Sequence, residues 1–200
     1  MKNNREYRSM ELSVPAETEY RVEGYASTFD EYTLLTVDGI DYKERIEPKA
    51  FEGADMSDVV FRINHEGPVY ARTSAGSVEL FVDEHGLGNR TDLSRTQRSR
   101  DLYEEIKAGN YPKMSFAFTV AEDHYDKANH VRIIDRISKV FDISPVTFPA
   151  NPGTELSARD YFDGVIEAEK AERLERERQE QEKRKLQLKI KIGGYLNGDQ

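Results

Sequence analysis

The chain contains no cysteine and no tryptophan. Without a thiol it has no disulfide, no thiolate nucleophile and no Cys-based zinc site, and its redox compartment cannot be inferred. Histidine is scarce, with four in 200 residues. Long apolar runs are missing too: none approaches the ~20 residues of a membrane span. The opening MKNNREYRSMELS is polar and lacks the apolar stretch of a secretory signal. Basic charge is in deficit, 29 Lys+Arg against 38 Asp+Glu for a net −9. A nucleic-acid binder needs a basic face to neutralise phosphates, so this balance argues against one. The expectation is a soluble, cytosolic protein with one domain, or one domain and an appendage, and enough residues to bury a core.

Charge divides the chain. Residues 163–200 hold nine basic and nine acidic side chains, so the whole acidic excess lies in residues 1–162. From Glu167 to Lys185 the sequence is almost entirely Glu, Arg, Lys, Gln and Ala, with Leu174 the only large aliphatic. Glu169 and Arg173, Glu172 and Arg176, and Glu180 and Arg184 stand at i,i+4 with Glu leading. These pairs predict a solvated single helix, and the missing a/d apolar positions exclude a coiled coil. After it, Leu186, Leu188, Ile190 and Ile192 alternate with polar residues and predict a strand ending at Gly193-Gly194. The expected organisation is a domain over 1–162 and a tail over 163–200 that binds a partner or tethers the domain.

The body reads as strands at Glu19–Ala26, Val59–His65, Ser77–Val82, Lys113–Val120 and Arg132–Val146, with a tight turn at Asp83–Gly86. A helix is predicted over about Thr96–Ala108, with Leu102, Tyr103 and Ile106 inward and Gly109 as its stop. The fold class is therefore β-rich α+β. A barrel is expected, because closure removes exposed sheet edges.

Reactive chemistry has to come from His, Ser, Asp and Glu. His124 and His130 lie in the polar run Asp123–His130, which reads as an exposed turn. His85 sits in the Asp83–Gly86 turn, and Asp83 with His85 makes a weak two-ligand metal motif, so no metal site is expected. His65 follows Val59, Phe61 and Ile63 at period two, just before Glu66-Gly67-Pro68. It reads either as a packed histidine or as a half-buried general base. On Lys113–Val120, Phe116, Phe118 and Val120 share one face, while Ser115, Ala117 and Thr119 share the other. Ser115 is thus a polar residue pointing outward, or a nucleophile flanked by small neighbours. Asp142, between Phe141 and Ile143, needs a partner, because an unpaired buried carboxylate is costly. An imidazole would complete a triad; backbone donors would make it structural. Downstream, Thr147-Phe-Pro-Ala-Asn-Pro-Gly153 could offer the backbone N–H groups of Ala150, Asn151 or Gly153 to an oxyanion.

Several short segments together carry a resemblance: Arg21–Ser27, Glu44-Arg-Ile-Glu-Pro-Lys-Ala-Phe51, Asn64-His-Glu66, Met114-Ser-Phe116 and Val146–Pro152. Over roughly residues 20–155 the chain resembles the tailed-phage prohead, or capsid maturation, proteases, which are similar to the herpesvirus assemblins. The resemblance implies a β-barrel ringed by helices, with His65 as general base and Ser115 as nucleophile. By position it makes Asp142 the third member, where assemblins carry a second His. The chain departs from the family pattern at Lys49, where Gly is usual, and at Ala117, often Gly, but neither change removes a catalytic group.

The activity so implied is a serine endopeptidase without cofactor, acting in the host cytoplasm inside the procapsid. Its substrates would be the scaffold or the scaffold-like extension of the major capsid protein, and the protease itself. Assemblin likeness implies self-association as a homodimer; neither nucleic acid nor membrane is an expected partner. Two other classes compete. One is a non-enzymatic assembly or scaffolding factor in which His65 and Ser115 merely pack. The other is a metal-dependent hydrolase using His65, Glu66 and His85.

Overall fold

A computed structural model describes residues 6–13, 19–147 and 156–196. The chain divides into two compact units, residues 1–159 and 160–200.

The first unit is built from ten strands. They are β1 (Glu6–Ser13), β2 (Arg21–Thr28), β3 (Tyr32–Val37), β4 (Ile40–Ile46), β5 (Val60–Ile63), β6 (Glu66–Arg72), β7 (Val78–Val82), β8 (Gly86–Asp92), β9 (Lys113–Asp126) and β10 (Val131–Val146). Hydrogen bonding joins eight of them in the order β3-β4-β10-β9-β1-β2-β8-β7, and the β5–β6 hairpin branches from β10. The two ends, β3 and β7, are not paired with each other, so among the described residues the expected barrel is not closed. The β-rich class stands.

The longest strand organises this arrangement. Along one edge β10 runs antiparallel to β9. Along its other edge, Val131–Ile134 lie parallel to β4, and Asp142 and Ile143 lie parallel to Val60 and Phe61 of β5. Between them Asp55 bridges to the strand, its N–H bonding Ser138 O and its carbonyl accepting from Val140 N–H. The Asp55 carboxylate also holds Lys139 Nζ at 2.6 Å. That ammonium, with the Ser57 hydroxyl and amide, keeps the Asp55 carboxyl well below the usual carboxylate range.

The core forms on one face of β9 and β10. Phe116 and Phe118 stack with ring centroids 4.4 Å apart. They join Phe51, Phe61, Met114, Ile134, Val140 and Ile143 in one cluster. The expected helix is present as α1 (Gln97–Lys107). The Thr96 side chain caps it by accepting from Ser99 N–H, Leu102, Tyr103 and Ile106 are buried, and Gly109 follows at φ +83°.

One helix, α2 (Leu156–Leu196), supplies all the described residues of the second unit. Glu180 and Arg184 make one of the anticipated i,i+4 contacts at 4.0 Å. The strand expected at Leu186–Ile192 is instead the continuation of α2. Alternation alone cannot hold a strand without a sheet to join, whereas Lys, Leu and Gln are good helix formers and extend the charged helix already running.

One polar network is buried within the sheet. Glu44, fully buried on β4, accepts from Arg132 Nη1 at 3.1 Å, and Tyr32 Oη also donates to it. Arg132 Nε reaches Asp123 at 2.6 Å. Removing one member strands the others away from water, so Glu44→Ala is expected to cost about 3–5 kcal/mol in urea unfolding. A loss below about 1 kcal/mol, as for an exposed ion pair, would contradict that reading.

Candidate active site

Ser115 lies on β9 opposite Ser144 of β10, and its backbone pairs with Ser9 of β1 on the other side. Directly opposed residues of an antiparallel pair share a face, so Ser115, Ala117, Asp142 and Ser144 line the side opposite the phenylalanine core. An irregularity in β10 makes this arrangement. Val140 opposes Phe118, yet Asp142 opposes the adjacent Ala117, so Phe141 is an extra residue in the ladder. A bulge of this kind inverts the in–out order beyond it. Before it the even-numbered Val140 packs in the core; after it the odd-numbered Ile143 does, and Asp142 and Ser144 turn to the other face.

His65 arrives from the hairpin turn between β5 and β6. It was expected at the end of a strand face, but β5 stops at Ile63, and Asn64 and His65 form the two-residue turn to β6. Both have positive φ, +47° and +62°, as a type I′ hairpin turn requires. Asn and His tolerate this left-handed conformation better than most side chains do. The turn is pinned to the end of β10. Asn64 N–H donates to Pro145 O at 3.1 Å, Thr147 N–H donates to Asn64 Oδ1 at 3.1 Å, and Asn64 Nδ2 donates to Thr147 Oγ1 at 3.3 Å.

The result is a continuous chain of polar atoms. His65 Nδ1 is 2.6 Å from Asp142 Oδ1, and His65 Nε2 is 2.8 Å from Ser115 Oγ. An ionised carboxylate can only accept; against one, Nδ1 donates and the Nε2 lone pair is left to face the serine hydroxyl. Ser144 Oγ donates to Asp142 Oδ1 at 2.8 Å and accepts from the His65 backbone N–H at 3.2 Å. Ser144 played no part in the sequence reading, though its i,i+2 spacing from Asp142 already placed the two on one strand face.

Access is narrower than the small side chains around Ser115 suggested. The Ser115 residue has 0% of its surface exposed, and the side chains of Asp142 and His65 have 4% and 15%. The outward-facing alternative for Ser115 is thereby excluded.

The other histidines lie elsewhere. His124, expected in a turn, is on β9 and pairs with Asp135 at 2.6 Å; His130 accepts from or donates to Tyr125 Oη at 3.1 Å. His85 stays in its exposed turn, its N–H bonded to Asp83 Oδ1. Among the described residues no three His, Asp or Glu side chains are grouped to hold a metal ion, so the set His65, Glu66 and His85 is not assembled. Ala150, Asn151 and Gly153 lie outside the described residues.

The geometry of the turn can be tested on its own. Asn64→Gly keeps conformational freedom but deletes two bonds to Thr147, and should cost about 1–2 kcal/mol in urea unfolding. Asn64→Val loses the same bonds and adds a β-branched residue at positive φ, a further cost of about 1–3 kcal/mol. Equal stability of the two variants would contradict a strained turn.

Comparison with known proteins gives the following. Residues 5–165 match the Caudovirus prohead serine protease family. The prohead protease of Enterobacteria phage HK97 is 33% identical over 150 residues, a match that takes in 72% of this chain and 61% of that protein's length. No solved structure matches the chain.

Proposed function

Since the chain belongs to the Caudovirus prohead serine protease family, we propose that it is a serine endopeptidase of procapsid maturation with Ser115, His65 and Asp142 as its catalytic residues. The observation that carries this reading is the pair of short contacts at the imidazole, 2.6 Å to Asp142 and 2.8 Å to Ser115. They lie within the reach that proton transfer needs.

The mechanism follows from the proton positions. Ser115 Oγ attacks a peptide carbonyl carbon while its proton passes to His65 Nε2. The resulting imidazolium, protonated at both nitrogens, is held against the Asp142 carboxylate, which stays ionised and fixes the ring. His65 then gives the Nε2 proton to the departing amine, and the acyl-enzyme remains on Ser115. Water adds to the acyl carbon, losing a proton to the same Nε2; as the acyl–Oγ bond breaks, that proton passes to Ser115 Oγ, which restores the hydroxyl and the neutral imidazole and frees a carboxylic acid that ionises. Chemistry in such a covered site runs in low dielectric, where the imidazolium–carboxylate attraction is stronger than in water.

The substrates assigned here are the scaffold, or the scaffold-like extension of the major capsid protein, cut inside the procapsid in the host cytoplasm, and the protease itself. The chain works as a homodimer on this reading. The charged tail is assigned to partner engagement, since a polar helix contributes nothing to acyl transfer. A protease-like assembly factor without activity is the alternative.

Co-expression with the capsid and scaffold proteins of the same phage separates the two. Ser115→Ala and His65→Ala should each abolish processing while the melting temperature stays near that of the parent, and Asp142→Asn should lower the rate about 10⁴-fold. Normal processing by either of the first two variants contradicts the assignment; a fully active Asp142→Asn makes that carboxylate structural. Deleting residues 165–200 should spare cleavage and lower incorporation into procapsids, and normal incorporation would refute the role given to the tail.

A further inference from the structure

Ser144 is a fully buried hydroxyl two residues beyond Asp142. A hydroxyl has one proton and two lone pairs. Here the proton is spent on Asp142 Oδ1 at 2.8 Å, and a lone pair accepts the His65 backbone N–H at 3.2 Å. The carboxylate oxygen that takes this proton is the one that contacts His65 Nδ1. A ring of contacts therefore closes, from the His65 backbone through its imidazole to Asp142 Oδ1, on to Ser144 Oγ and back to the His65 backbone.

We propose that Ser144 is a positioning residue for acyl transfer, holding the carboxylate and the imidazole in one fixed relation. The proposal rests on the catalytic assignment made above. Two motions would spoil the proton path. The carboxylate can rotate about its Cβ–Cγ bond, and the hairpin turn, strained at φ +62°, can tilt the ring away from Ser115. The hydroxyl opposes both at once, because its two bonds end on the two groups that must not move apart. Such a bond is worth most when its acceptor is ionised. Ser144 transfers no proton and touches no substrate in this scheme. A displacement of even about 1 Å at the imidazole lowers the rate by a factor on the order of a hundred, so its effect falls on turnover and not on binding.

The test measures acylation of the full-length chain by a fluorophosphonate, which needs no knowledge of the natural cleavage sequence. Maximal acylation rate and half-saturating reagent concentration are determined for the parent, Ser144→Ala, Ser144→Thr, Ser144→Cys and Asp142→Asn, and for Ser144→Ala combined with Asp142→Asn. Loss of a hydrogen bond to a charged group should lower the maximal rate about 10- to 100-fold in Ser144→Ala, with half-saturation within about twofold of the parent. Ser144→Thr should recover most of the rate. Ser144→Cys, whose S–H is a weak donor, should fall between Thr and Ala. In the Asp142→Asn background the same change to Ala should cost little further, because the group through which Ser144 acts is gone.

Parental rates in Ser144→Ala would overturn the proposal, and so would an equal fold-loss in both backgrounds, which is the mark of a purely structural residue. If Ser144→Ala does not fold, the order Thr above Cys decides, and equal rates for those two overturn it. A parent chain that takes up no reagent at Ser115 would instead sink the protease assignment itself, and this inference with it.

Discussion

One extra residue in a strand decides which side chains share a face with Ser115. Phe141 has no single opposite number on β9, and the in–out order of β10 inverts around it. Upstream, the strand gives Val140 to the core; downstream, it gives Ile143 to the core and turns Asp142 and Ser144 to the face that carries Ser115. With an uninterrupted ladder, Asp142 would face the stacked phenylalanines, where a carboxylate has no partner. The bulge therefore lets one strand serve a packed core and a polar site without burying a bare charge.

The site's second requirement is met by an unrelated device, a tight turn. His65 lies fifty positions before Ser115, and β5 brings it close by pairing in parallel with the segment of β10 that carries Asp142. The turn's positive φ values aim the ring back over the neighbouring strand, and Asn64 with Thr147 secures the turn to the strand end. Backbone strain at one point is thus offset by hydrogen bonds at another, as is common where a side chain must be held in one orientation. The three side chains come from two strands and a hairpin turn that meet only in the folded sheet, and so does the polar connection among them.

These two devices mark the limit of what could be read from residues alone. Helix α1 was legible because its apolar stripe and glycine stop agree, and the structure adds the Thr96 cap. The face division of Lys113–Val120 was also legible, because β9 is regular there and period two applies. Asp142 stood out as an acid among apolar neighbours, but the inversion that places it opposite the core was not, since a bulge leaves no trace in alternation. His65 was identified, though assigned to a strand end; the turn at Asn64-His65 lacks the glycine that signals most type I′ hairpins. The Asp38-Gly39 turn between β3 and β4 carries that signal plainly, with φ of +54° and +78°, yet neither strand is among those expected from the sequence. In the tail, alternation at Leu186–Ile192 was outweighed by helix propensity and by the helix already running before it. The barrel was inferred from kinship and from the cost of exposed edges; the described strands leave β3 and β7 as ends.

The central claim is that Ser115, and no other hydroxyl, is activated by His65. Mapping the adduct after fluorophosphonate treatment tests it most directly, by peptide mass spectrometry on the parent and on His65→Ala. The account predicts a single adduct on the peptide containing Ser115 in the parent and none in the variant. An adduct on another serine, or equal modification of Ser115 with and without the imidazole, would contradict it.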